Sequence, residues 1–152
     1  MPALLAKAEA VFEFPMVDRD PLPALSEGRV TLLGDAAHPI YPIGSNGASQ
    51  AILDARVLAM HLARAGSVEA ALSAYDAARC PPTAAIVRAN RGHGPDIVLD
   101  LAHERAPQGF TDIEAVIPRE ELVETAARYK RLAGFDPADL HARASFSVPA
   151  SA

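Results

Sequence analysis

The run Arg29–Leu33 (RVTLL), bounded by Gly28 and Gly34, constrains this chain more than any other feature. It is short, apolar and β-branched, the composition of a strand buried on both faces of a sheet. Such a strand needs neighbours, and the remaining sequence supplies few. Val11–Met16 (VFEFPM) has strand composition but is cut by Pro15. The expected architecture is therefore α/β: one or two residual strands followed by a mostly helical remainder. The sheet is expected to be incomplete, as in the back portion of a larger domain.

The helical remainder can be outlined from spacing and punctuation. Pro2–Ala10 reads as a short helix and Val17–Gly28 as a proline-rich connector. Gly47–Ala65 carries the strongest helical pattern. Its polar residues Gln50, Asp54, His61 and Arg64 fall near one stripe, and Ile52, Leu53, Leu58, Ala59 and Leu62 cover most of the rest, so the helix is expected to be largely enclosed. Gly66 stops it and Ser67 can cap a helix over Val68–Arg79. Pro81 and Pro82 are expected to open a further helix, since proline suits a first turn. The sequence Gly92-His93-Gly94-Pro95 should break that helix. The pattern resumes to about Arg105, a last solid helix covers Pro118–Ala133, and Pro137–Ala152 reads as a loose tail.

Composition excludes several functions. Net charge is −5 and the sequence pI about 5.5, which disfavours nucleic acid or an anionic membrane as the main partner. A single cysteine, Cys80, rules out an internal disulfide and makes the cytoplasm the default compartment. No apolar run approaches the roughly 18 residues of a membrane span. Lys7, Glu9 and Glu13 interrupt what would be the apolar core of a signal peptide.

The chemistry lies in the stretch between strand and helix, GDAAHPIYPIGSNGASQAILDA, Gly34–Ala55. Asp35 directly follows an apolar strand, where ligands of open α/β sheets collect and a carboxylate can accept bonds from ribose-like hydroxyls. A plainer alternative is a carboxylate that only caps the turn Ala36-Ala37-His38. Pro42, Gly44, Ser45, Asn46 and Gly47 lead into a helix N-terminus, whose unpaired N–H groups and partial positive charge suit an anion or an electron-rich oxygen. The plainer alternative is a loop with Asn46 or Ser45 as helix cap. Gly47-Ala48-Ser49-Gln50-Ala51 approaches a hydrolase nucleophile turn, but that turn needs the strand immediately before the serine, and here it ends roughly fifteen residues earlier. Without lysine, GSNGASQ is no Walker loop, and no G-x-G-x-x-G occurs. His38, His61, His93, His103 and His141 show no metal-ligand pairing, and His38 reads as a packed structural histidine rather than a base.

The residues GRVTLLGDAAHPIYPIGSNGASQAILDA resemble the second flavin-binding motif of the class A FAD monooxygenases, the aromatic hydroxylases typified by para-hydroxybenzoate hydroxylase. YPIGSNGASQAILDA, the preceding FPMVDRDPLP and the later Ala74, Tyr75 and Arg79 are most similar to the phenazine-carboxylate monooxygenase branch. The resemblance is strong over about Phe14–Arg79. It implies the C-terminal part of an FAD/NAD(P)-binding fold. Residues 1–20 would be a remnant of the substrate domain, 21–92 the C-terminal part of the FAD-binding domain, 93–136 the C-terminal helices and 137–152 the tail. It further implies FAD as cofactor, NAD(P)H as cosubstrate, O2 as oxidant and a small aromatic substrate. Gly34 and Asp35 would lie along the ribityl chain, with Asp35 accepting a hydroxyl. Pro42 would sit near the flavin ring, and Gly44, Ser45, Asn46, Gly47, Ala48 and Ser49 would wrap its pyrimidine edge. No side chain is implied as a catalytic acid or base, since the cofactor carries the reaction.

Four departures accompany the resemblance. The family's ADP-binding G-x-G-x-x-G is absent, as are its NAD(P)H-contacting motif and most of its substrate domain. Cys80 stands in a Cys-Pro-Pro segment where arginine is expected. The chain is therefore expected to be a fragment, or to be completed by a separate chain supplying the N-terminal half. The alternative function is a non-catalytic helical remnant acting as an interaction or dimerisation module.

Overall fold

The computed structural model describes residues 6–148. The β structure is a single hairpin, β1 (Ser26–Glu27) and β2 (Val30–Thr31), paired antiparallel with Ser26 opposite Thr31 and Glu27 opposite Val30. Gly28, at φ +58°, takes the first position of the two-residue turn, where a side chain would be strained. The expectation of a strand buried on both faces over Arg29–Leu33 is corrected: only Val30 and Thr31 are strand, and Val30 is 69% exposed. Val11–Met16 forms no strand. Its backbone has no partner to pair with, and Val11, Phe12, Phe14 and Met16 stand exposed. The proposed first helix lies partly outside the described residues; its described part, Ala6–Ala10, is turn and bend.

The helices dominate. A four-residue turn of helix, α1 (Gly34–Ala37), follows the hairpin. Then come α2 (Gly47–Arg64) and α3 (Val68–Arg91), the two longest elements, packed along one another. Ser67 caps α3 as expected, its hydroxyl accepting from the Ala70 N–H at 3.1 Å. α3 does not stop at Arg79. It runs unbroken through Pro81 and Pro82, correcting the expected division into two helices. The prolines remove the N–H donors that would have bonded Ala77 and Ala78, and both alanines lie on the exposed side where water can replace them. Buried residues on either side, Tyr75 and Arg79 before, Thr83, Ile86 and Val87 after, hold one axis through the prolines.

The Gly-His-Gly-Pro sequence does end α3. His93 adopts φ +63°, a single 3-10 turn covers Gly94–Asp96, and α4 (Ile97–Arg105) follows. α5 (Arg119–Leu132) matches the last solid helix. The segment expected to be a loose tail begins with a further helix, α6 (Pro137–Ala142), because Asp136 caps it by accepting from the N–H groups of Ala138 and Asp139.

The core is small: Leu25, Ala37, Val57 and Tyr75, with Leu22, Leu32, Leu33, Leu58, Cys80 and Phe146 against them. Polar ties bind the hairpin to it. The Tyr75 hydroxyl donates to the Leu32 carbonyl at 3.0 Å, and Asp76 accepts from the Ser26 N–H and hydroxyl. Burial, together with the nearby Asp54 charge, raises the Tyr75 phenol well above its usual range, so it stays a neutral donor. The half-buried Cys80 is a free thiol whose pKa burial and the charge of Asp76 push upward.

The orientation of α2 is the largest surprise. Its buried residues are Gln50, Asp54, Val57 and Met60, while Ile52 and Leu62 are 63% and 46% exposed. Gln50 and Asp54 of the polar stripe face inward while His61 is half-buried, Arg64 is exposed and part of the apolar surface faces out, so the helix is not enclosed as expected.

Candidate functional site

The connection from β2 to α2 is built around one buried carboxylate, Asp54, which is fully enclosed. Three groups reach it. The Gly34 N–H donates at 2.9 Å, His38 Nε2 lies at 2.6 Å, and Arg79 Nε donates at 2.6 Å. Burial alone would raise the Asp54 carboxyl, but bonds from His38, Gly34 and Arg79 outweigh it and hold the group below the ordinary carboxyl range. An ionised Asp54 only accepts, so His38 carries its proton on Nε2. Arg79 also donates to the Gln50 side-chain oxygen at 2.7 Å, and Gln50 donates to the Ala133 carbonyl at 3.1 Å. His38 is thus buried, its Nε2 engaged by Asp54 and its Nδ1 without a partner among the described residues.

This network fixes how the chain leaves the hairpin. Gly34 takes φ +55°, and a Cβ there would stand 3.1 Å from the Ala51 Cβ, so α1 lies close against α2. The next residue, Asp35, projects from the first turn of α1 and is exposed. Its Oδ1 is 4.0 Å from the position a Gly47 Cβ would occupy. A carboxylate and the N-terminus of an 18-residue helix therefore share one surface.

The intervening loop is held just as firmly. Asn90 on α3 donates to the Tyr41 and Ile43 carbonyls at 3.1 and 3.0 Å. Gly44 and Ser45 both have positive φ, +84° and +51°. Asn46 is buried, but it does not cap α2: its backbone is helical and its Nδ2 donates instead to the Tyr129 hydroxyl at 2.9 Å. The Asn46 carbonyl receives the first helical bond, from the Gln50 N–H. The N–H groups of Gly47, Ala48 and Ser49 precede that bond and have no partner within the helix.

Of the residues singled out in the sequence, Asp35 and Gly47 are brought together. Pro42, Gly44, Ser45 and Ala48 lie exposed on the same connection, and Gly47 and Ser49 are half-buried. Gly34 spends its N–H on Asp54, and Asn46 faces inward, its Oδ1 buried without a partner. The residues that sequence reasoning missed are Asp54, Arg79, Asn90 and Tyr129. The pair Gln50 and Asp54, one helical turn apart in an otherwise apolar stretch, was the available signal.

Beside Gly44 a cleft of about 380 Å³ opens, lined by Gly44, Pro95, Ala126, Tyr129, Lys130, Phe135 and Pro137. A larger hollow of about 670 Å³ is lined by Ala24, Leu25, Ser26, Glu27, Val30 and Leu32 of the hairpin and its flanks. Among the described residues no three His, Cys, Asp or Glu side chains gather as a metal site, and no helix is long and apolar enough to cross a membrane.

Comparison with known proteins meets this geometry at the same residues. The model of the family described as FAD binding domain matches residues 8–90. A phenazine 1,6-dicarboxylic acid hydroxylase from Lysobacter antibioticus is 58% identical over 91 residues, covering 60% of this chain and 22% of the relative. A 3-hydroxybenzoate 6-hydroxylase from Aquipseudomonas alcaligenes is 51% identical over 71 residues, 47% of this chain and 18% of the relative. A 3-amino-4-hydroxybenzoate 2-monooxygenase from Streptomyces platensis is 37% identical over 149 residues, 92% of this chain and 34% of the relative. The chain thus spans at most about a third of the length of these relatives. With the family match covering more than half of its residues, including the Asp35 and Gly47 surface, this chain belongs to the FAD binding domain family.

Proposed function

We propose that this chain supplies the flavin-ring grip of an FAD-dependent monooxygenase that hydroxylates a small aromatic substrate with NAD(P)H and O2. The observation that carries the proposal is the Asp35 carboxylate standing 4.0 Å from the Gly47 Cβ position, at a helix N-terminus that Asn46 leaves uncapped. Asp35 accepts a hydroxyl of the ribityl chain. Gly44, Ser45, Gly47, Ala48 and Ser49 face the pyrimidine edge of the ring, with the free N–H groups of Gly47–Ser49 as donors; Asn46 contributes only its backbone, since its side chain is turned inward to Tyr129, and Pro42 lies beside the ring. Gly44 and Ser45 both hold positive φ, so the backbone turns tightly just ahead of α2. The bound flavin supplies the electron and oxygen transfer. The protein's part is to bind, orient and stabilise: the positive end of α2 favours negative charge at the ring's edge without reorganisation. The relatives are named for phenazine dicarboxylic acid, hydroxybenzoate and aminohydroxybenzoate, which favours an aromatic acid as substrate.

The adenosine and pyrophosphate of FAD need a phosphate-binding glycine motif that these 152 residues do not contain. We propose that it comes from a further polypeptide segment, in the same protein or as a separate chain. The exposed hairpin and the bare side chains of Val11, Phe12, Phe14 and Met16 support that reading. The same exposed residues also favour a second reading, an interaction module that binds a partner without flavin.

Titration with FAD, followed by flavin absorbance and fluorescence, tests both. It is run on the chain alone and with the part of the Lysobacter relative outside the matched segment added. Binding in either setting supports the flavin reading. Asp35→Ala should then weaken affinity by about 1–3 kcal/mol, the loss of a hydrogen bond to a charged group. Because Asp35 is exposed and has no partner that the fold depends on, its melting temperature should hold. Unchanged affinity would remove Asp35 from the site. A colourless protein in both settings that forms a stable dimer would favour the interaction module.

A further inference from the structure

Tyr129 lies on α5, 83 positions beyond Asn46, yet its hydroxyl closes the loop at the mouth of α2. It accepts from Asn46 Nδ2 at 2.9 Å and donates to Asn90 Oδ1 at 2.7 Å. Asn90 in turn holds the Tyr41 and Ile43 carbonyls. Each group has a single compatible role. The phenol is both donor and acceptor, the Asn46 amide donates, and the Asn90 side chain uses both ends. Burial raises the Tyr129 phenol above its ordinary value, with the Asn46 and Asn90 bonds offsetting part of the shift, so the hydroxyl keeps its proton.

The backbone is shaped around this phenol. A Cβ on Gly44 would sit 2.3 Å from the Tyr129 oxygen and 2.8 Å from two ring carbons, and one on Gly94 would meet the ring at 3.1 Å. Both glycines have positive φ. Asn46 is a residue type that ordinarily caps a helix through its side chain. Here that side chain is drawn to Tyr129, and the first N–H groups of α2 are left for another acceptor.

We infer that Tyr129 is a positioning residue for the cofactor site: through Asn46 and Asn90 its hydroxyl sets the conformation of Tyr41–Gly47 and keeps the mouth of α2 uncapped. The inference rests on the flavin reading only for the identity of the ligand. The loop's dependence on the hydroxyl stands on the bonds themselves.

The test separates the two. Tyr129→Phe keeps the ring and removes only the hydroxyl. Backbone 15N relaxation of the ligand-free chain should show rigid order parameters of about 0.85 over Ile43–Gly47 in the parent, falling below about 0.6 in the variant, with the centres of α2 and α3 unchanged. Asn46→Ala, which removes one of the two bonds, should loosen the same residues. This second variant decides the matter should Tyr129→Phe fail to fold. FAD titration then adds its own readout: affinity should fall about tenfold in Tyr129→Phe, the scale of one to two lost hydrogen bonds. A loosened loop in a chain whose parent takes up no FAD in either setting, alone or with the added part of the relative, would overturn the flavin reading and leave the Tyr129 contact standing. A loop that stays rigid in the variants would overturn the role of the hydroxyl, whatever FAD does.

Discussion

Asp54→Ala should be among the most damaging single changes in this chain. The carboxylate is fully buried and holds three donors at 2.6–2.9 Å. Truncation leaves the Arg79 guanidinium enclosed, with only Gln50 to answer its charge through bonds of 2.7 and 3.4 Å. Breaking a buried pair by removing one partner costs about 3–5 kcal/mol, because the remaining charge stays desolvated. A domain's whole stability is on the order of 5–15 kcal/mol. At about 2–4 °C per kcal/mol for a chain of this size, the melting temperature should drop by about 6–20 °C. Urea denaturation followed by circular dichroism measures the same loss, with the slope unchanged if the unfolded state is unaffected. A loss below about 1 kcal/mol would mean that Arg79 finds water or another acceptor, and the network described around Asp54 would be wrong. The pH profile is an independent check. The folded-state pKa of Asp54 lies below the ordinary carboxyl value of 3.8, so its contribution is fully present above that value and is lost as pH falls through the lower folded value. The parent should therefore lose stability below about pH 4, and Asp54→Ala should lack that part of the acid limb.

Two smaller changes probe the supports around the site. Tyr75→Phe removes the bond to the Leu32 carbonyl and should cost about 0.5–1.5 kcal/mol of unfolding free energy, read from urea denaturation, with no change if water replaces the hydroxyl. Gly44→Ala places a side chain at φ +84° against the Tyr129 phenol. It should cost about 1–3 kcal/mol, and NMR should show the Tyr129 ring displaced; a wild-type ring signal would refute the close approach.

Much of this molecule was legible in local chemistry. Gly47–Arg64 carries helical spacing strong enough that its bounds were foreseen to within a residue. Ser67 is a residue type favoured as a cap, and Gly92–Pro95 favours a helix end because two glycines stand just before a proline that disfavours helix at Gly94. The dense Gly-Asp-Ala-Ala-His pattern marks the connection into α2. These features depend on residues adjacent in the chain, so a sequence suffices.

Direction and partnership were settled only by packing. Nothing local shows that Asp54 points inward. A carboxylate on an apolar helix reads as a solvated stripe until Arg79, 25 positions away, and the Gly34 N–H are seen to meet it. Proline at positions 81 and 82 reads as a new beginning until buried neighbours on both sides hold one axis through it. Tyr129 looks like any aromatic residue on a surface helix until it arrives at Gly44. In each case the decisive interaction joins groups distant in sequence, and its strength comes from the exclusion of water, which exists only once the chain has folded.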